Sequence, residues 1–165
     1  MFVLLILLQV LVFNRISFFG YATPFLYIYF IIKMPIGLNR SAITVLGFLL
    51  GFIIDIFCNT PGVNAAATTF AAFISGGIQG LFIMKNDYND QEPGWTLLGG
   101  AFIKYALLLT FIHHLLLISI EAFSFFNVKL IALRILSSTI LTFLLIFALE
   151  GFTRKDKKTW QKTTT

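Results

Sequence analysis

Gly47-Phe48-Leu49-Leu50-Gly51-Phe52-Ile53-Ile54-Asp55, followed after three residues by Asn59-Thr60-Pro61-Gly62-Val63-Asn64, decides how this chain is read. The run is apolar except for its last residue. A carboxylate at mid-bilayer costs about 2.5–3.5 kcal/mol on insertion scales, so Asp55 requires a partner. Gly47, Gly51 and Asp55 recur every four residues and share one helical stripe. The polar turn behind them, with Thr60 as cap and Pro61 as first helical residue, reads as the start of the next helix.

Composition supports a membrane setting. Of 165 residues, 58% are hydrophobic and 12% charged, and 20 are phenylalanine. The mean hydropathy is +0.91. A soluble domain carries about 25% charged residues, so the chain reads as an all-α integral membrane protein. Its length suits one polytopic domain over residues 1–152 and a basic tail over 153–165, without room for an extramembrane enzyme domain. The single cysteine, Cys58, excludes an internal disulfide framework and a cysteine-ligated zinc site.

A helix needs about 20 apolar residues to cross the hydrocarbon core. That ruler gives four strong spans, Ser41–Phe57, Gly62–Met84, Leu97–Ile120 and Val128–Leu149. Two weaker runs precede them, for a bundle of about six transmembrane helices. Met1–Phe19 is interrupted by Asn14 and Arg15, and reads as a retained helix because it lacks the basic start of a signal peptide. Pro24–Leu38 is interrupted by Lys33 and Pro35; Thr23-Pro24 should open that helix and Pro35 should end or kink it. If these two runs made one re-entrant hairpin, four helices would span.

The net charge of +5 comes mainly from Arg154, Lys155, Lys157, Lys158 and Lys162. Directly after a span, such a tail marks the cytoplasmic side and can touch anionic lipid, rather than nucleic acid. With Lys33, Arg40 and Lys85 it places eight cations on one side, against Arg15, Lys129 and Arg134 on the other. The bias predicts both termini inside. Lys104 and Arg134 lie near the starts of their spans and can reach the nearer interface. The acids of the 85–95 loop lack the spacing of a calcium loop and read as solvated.

Small residues continue on the fourth long run. Ala65, Thr68, Ala72, Gly76 and Gly80 line one face, facing the Gly47/Gly51 stripe of the preceding helix. Such residues let backbones approach closely where lipid removes the usual hydrophobic drive. Asp55 lies about 21 Å along its helix from Ser41, next to the free amides of the following helix. It is expected to accept hydrogen bonds from the Gly62–Asn64 amides or the Asn64 side chain, locking the hairpin. His113 and His114 point about 100° apart and lack a third ligand at helical spacing, so they read as interhelical hydrogen-bonding groups. Ser137, Ser138 and Thr142 read likewise. No serine or threonine has a base at suggestive spacing, and no cofactor motif is present in the sequence.

Gly51-x-x-x-Asp55 closing one span and Asn59-Thr60-Pro61-Gly62-Val63-Asn64-Ala65 opening the next resemble the rod shape-determining protein MreD family. The layout agrees over most of the chain; its specific part is Gly51–Ala65. The resemblance implies a non-enzymatic adaptor of the bacterial cell-elongation machinery in the cytoplasmic membrane. Its partners would be an MreC-like bitopic protein and, indirectly, an MreB-like filament and peptidoglycan synthases. It also implies a fold similar to the substrate-binding membrane subunits of energy-coupling factor vitamin transporters, the alternative function. Those subunits use an Ala-x-x-x-Ala motif in their first helix, whereas Met1–Phe13 contains no alanine. A reactive tag placed in the 85–95 loop should be labelled from the cytoplasmic side; labelling only from outside would reverse this topology.

Overall fold

The hydropathy spans become helices wherever the backbone can close its own hydrogen bonds inside an apolar run. The computed structural model describes residues 1–13, 23–83, 90–122 and 127–163, with side chains described as far as Gly151. The elements are α1 (Phe2–Leu11), α2 (Ile28–Ile32), α3 (Arg40–Cys58), α4 (Val63–Phe82), α5 (Trp95–Leu98), α6 (Gly100–Glu121) and α7 (Val128–Thr163). No strand occurs among the described residues. Four stretches are long and apolar enough to cross a membrane: Arg40–Cys58, Val63–Phe82, Gly100–Glu121 and Val128–Gly151. They match the four strong runs of the sequence and are consistent with a multi-pass membrane protein.

The two weaker runs behave differently. α1 has 10 residues, about 15 Å of helix, and residues 14–22, with the expected interruption at Asn14 and Arg15, lie outside the described residues. Pro24–Leu38 forms only the five-residue α2 rather than a full helix. Thr23-Pro24 does not start it, because side chains capture the backbone there. The Thr23 amide donates to Ser138 Oγ (3.1 Å) and the Phe25 amide to Thr142 Oγ1 (3.1 Å). Gln9 of α1 accepts from the Leu26 amide (2.9 Å) and donates to the Pro24 carbonyl (3.0 Å). An interrupted backbone inside an apolar bundle is tolerated when its polar groups are satisfied in this way. α2 ends at Ile32, before Pro35.

This segment is the middle of the molecule. Tyr27, Ile28, Ile32 and Ile36 have no exposed surface. α2 packs on α4 and α6, and its flanks are hydrogen-bonded to α1 and α7. Along the outside, α3 packs most extensively on α4, α4 on α6, α6 on α7, and α1 on α3. Phe48 and Phe52 stack on the exposed side of α3, and Phe70 and Phe73 are exposed on α4. Exposed apolar side chains of this kind suit lipid contact.

The α3–α4 hairpin depends on small residues, but over less of α4 than the sequence suggests. A Cβ on Gly47 would lie 2.6 Å from Ala72 Cβ and 2.9 Å from the Thr68 carbonyl oxygen. One on Gly51 would lie 2.5 Å from the Asn64 carbonyl oxygen and 2.6 Å from Ala65 Cα. Gly76 meets only the Arg40 side chain, at 3.8 Å, and Gly80 is exposed. The reason is geometric: α3 begins at Arg40, opposite Gly76, so it offers no helix to pack against Gly80. Gly51→Ala should therefore destabilise the protein by about 2–4 kcal/mol, because the obstructing atoms include backbone. Gly77→Ala, with nothing within 4 Å, should be neutral or gain up to about 1 kcal/mol from helix propensity. Thermal unfolding in detergent compares the two.

Candidate functional site

α3 ends where Asn59 adopts the left-handed conformation (φ 55°), which asparagine tolerates better than most residues. The chain then passes through Thr60 and Pro61 to Gly62, whose φ of 81° suits glycine. Gly62, not Thr60, occupies the cap position of α4, and the helix opens at Val63 rather than Pro61. A glycine cap has no side chain to offer the first free amides. Asp55 supplies one from the preceding helix. Its Oδ1 accepts from the Asn64 amide (2.9 Å), Asn64 Nδ2 (2.9 Å) and Thr60 Oγ1 (2.8 Å), while Oδ2 accepts from the Ala65 amide (2.8 Å). The Asn64 amide and side chain are thus donors the sequence predicts, while the second helix amide comes from Ala65, one residue beyond the Gly62–Asn64 set. The carboxylate also sits at the positive end of the α4 dipole.

Asn64 and Tyr27 extend this corner into the centre. Asn64 Nδ2 also donates to Thr60 Oγ1 (2.9 Å), which fixes the amide so that Oδ1 accepts from Tyr27 (2.7 Å). The Tyr27 proton being committed, its oxygen accepts from His113 Nε2 (3.1 Å). His113 therefore carries hydrogen on Nε2, and its Nδ1 has no hydrogen-bond partner among the described residues. His114 has the opposite tautomer. Its Nδ1 faces the Thr110 carbonyl (2.8 Å) and must donate, so Nε2 accepts from Thr142 (3.1 Å). Thr142 in turn accepts the Phe25 amide. The adjacent histidines thus serve different partners: His113 faces Tyr27 and His114 faces α7.

A second buried acid holds the opposite end, and the sequence reading did not single it out. Glu150 accepts from Tyr29 (2.7 Å), Lys33 (2.9 Å) and the Trp95 amide (3.1 Å). Lys33 also donates to the Pro93 carbonyl (2.8 Å), and the Trp95 ring meets Phe147 edge-on at 5.7 Å. Nearby, Ile36 and Gln91 pair through backbone, as do Asp90 and Ile36. The available signal was an opposite pair, Lys33 and Glu150, each bordering or interrupting an apolar run. Gln9, alone among the described residues of its run in carrying a side-chain amide, was another.

The expected site residues therefore divide. Gly47, Gly51, Asp55, Gly62 and Asn64 come together at the α3–α4 hairpin, with Pro61 exposed in its turn. Gly76 and Gly80 lie towards the other end. Lys104 is exposed, and Arg134 pairs with Glu121 (3.2 Å). Two concavities flank the hairpin. A cleft of about 490 Å3 opens at the Asp55 end, with Asn64, Thr60 and Phe25 in its wall and Arg134 and Glu121 among its lining. A shallow groove of about 500 Å3 runs over the exposed α3–α4 face, floored by Gly62, Ala65 and Ala66. Among the described residues, no three His, Cys, Asp or Glu side chains gather to hold a metal. No family model, curated protein or solved structure matches this chain.

Two substitutions separate hydrogen bonding from apolar burial at Asp55. Asp55→Asn keeps Oδ1 and places a donor against the Ala65 amide, so it should cost about 1–3 kcal/mol. Asp55→Leu strands two amides and the Asn64 side chain, and should cost more than about 3 kcal/mol or prevent accumulation of folded protein. Chemical unfolding in mild detergent gives both values.

Proposed function

We propose that the protein is a non-enzymatic adaptor of the bacterial cell-elongation machinery, resident in the cytoplasmic membrane with both termini inside. It binds a bitopic MreC-like protein and, through it, an MreB-like filament and the peptidoglycan synthases. The observation that carries this reading is the groove on the α3–α4 face. Its floor is Gly62, Ala65, Ala66 and Thr69, and its walls are Phe48, Phe70 and Phe73. A floor of small residues admits the backbone of another helix, while aromatic walls add contact area. The groove also lies on the hairpin that Asp55 makes rigid, so a partner helix meets a surface already in its bound shape.

The Gly51–Ala65 resemblance to the MreD family names the partner class, and the interior gives a second support. Asn64 and Thr60, the polar residues deepest in the neighbouring corner, spend their hydrogen bonds on one another, on Asp55 and on Tyr27. A vitamin reaching that corner would meet groups already committed to one another, with Arg134 and Glu121 available only at the rim. The wall that faces outward is thus the better working surface.

Filling the groove tests the proposal. Ala66→Phe and Thr69→Phe, both on its floor, should reduce recovery of a co-expressed single-span MreC-like partner by about tenfold or more, with the thermal unfolding of the variants unchanged. Undiminished recovery would remove the groove from the interface. Depletion that left cell width unchanged would remove the function itself.

A further inference from the structure

The cleft at the Asp55 end has a division of chemistry that the adaptor reading leaves unused. Its inner polar residues are already committed: Asn64 bonds Asp55, Thr60 and Tyr27, and Thr60 bonds Asp55 and Asn64. The backbone of the interrupted segment is committed too, with the Thr23 and Phe25 amides held by α7. The rest of the lining mixes Thr23 and Cys58 with an apolar patch of Val10, Val63 and Leu117. Leu11 and Phe57, which also line it, are 63% and 64% exposed, so the cleft wall is continuous with the lipid-facing surface. A hydrocarbon chain can therefore pass from the lipid-facing side onto the patch of Val10, Val63 and Leu117.

The rim is the reverse. Arg134 and Glu121 share one hydrogen bond of 3.2 Å. A guanidinium has five donors and a carboxylate about four acceptor positions, so both keep most of their capacity. Glu121 is the last residue of α6, whereas Arg134 lies about two turns inside α7, which makes Arg134 the deeper of the two. An exposed pair like this contributes little to folding. Its order, cation deeper and anion shallower, is that required by a headgroup whose phosphate lies next to the acyl chains and whose ammonium lies beyond it.

We propose that this cleft is a site for a zwitterionic phospholipid of the ethanolamine type. Its phosphate takes the free donors of Arg134, its ammonium takes Glu121, and part of one acyl chain lies against Val10, Val63 and Leu117. Arg134 and Glu121 thereby add charge-assisted bonds to the lipid to the single one they share. The site is separate from the α3–α4 groove, and its test needs no protein partner.

Native mass spectrometry of the full chain in detergent, titrated with phosphatidylethanolamine or phosphatidylglycerol of the same chains, provides that test. The natural protein should hold one ethanolamine lipid with about tenfold preference over the glycerol lipid. Glu121→Gln should lower that preference to about twofold or less while retaining phosphate binding. Arg134→Gln should weaken both lipids by about tenfold. Exchanging the charges, Glu121→Arg with Arg134→Glu, rebuilds the ion pair and should still not restore the preference, which a purely structural role would not produce. Equal binding of the two lipids by the natural protein would overturn the proposal and mean annular lipid only. Full displacement by chain-free phosphoethanolamine would overturn it in favour of a soluble zwitterion. The comparison on the natural protein stands even if a variant does not fold.

Discussion

Asp55 is the group on which the α3–α4 corner depends. A charge held among apolar helices is costly unless its lone pairs are occupied by well-placed donors. Here the donors are two backbone amides, a side-chain amide and a hydroxyl, all from the ten residues that follow it. The same bonds meet the needs of α4, whose glycine cap brings no side chain of its own. One interaction therefore ends one helix, starts the next and fixes the angle between them. Gly47 and Gly51 let the backbones come close enough for that geometry.

The centre of the bundle follows a related rule with different chemistry. Residues 23–27 leave the helical path, and side chains of Gln9, Ser138 and Thr142 hold the backbone groups that result. Tyr27 then joins the corner to α6 through His113, and Thr142 joins the segment to His114. At the far end Glu150 repeats the corner's logic, gathering Tyr29, Lys33 and the Trp95 amide. The two acids thus anchor separate hydrogen-bonded clusters at opposite ends of an apolar protein. Such networks give a unique arrangement when every member is satisfied. The His113 Nδ1 position is an open point in this one.

This division of labour frees the outer surface for contacts. Most interior polar side chains bind one another or backbone, with Thr110 Oγ1, His113 Nδ1 and Thr139 Oγ1 left without a partner among the described residues, and the lipid-facing side of the hairpin carries aromatic walls around a small-residue floor. A hairpin with such a face supports the adaptor role proposed above. The charged rim of the other cleft, with most of its bonding capacity unspent, is consistent with a protein whose ligands come from the membrane itself.

The sequence by itself determined the four long helices, because each is a predominantly apolar run of the required length with few charged residues. It also exposed the Asp55 corner, since acceptor and donors lie within ten residues and a lone acid in an apolar run demands them. The second weak run was different. Its composition permits a helix, and only Ser138 and Thr142, more than a hundred residues away, together with Gln9, hold it open. Glu150 was hidden in the same way: it borders a basic tail in sequence, and its partner Lys33 is 117 residues distant. Local hydrogen-bonding demand is written along the chain, whereas a bond that closes across the bundle exists only once the helices have packed.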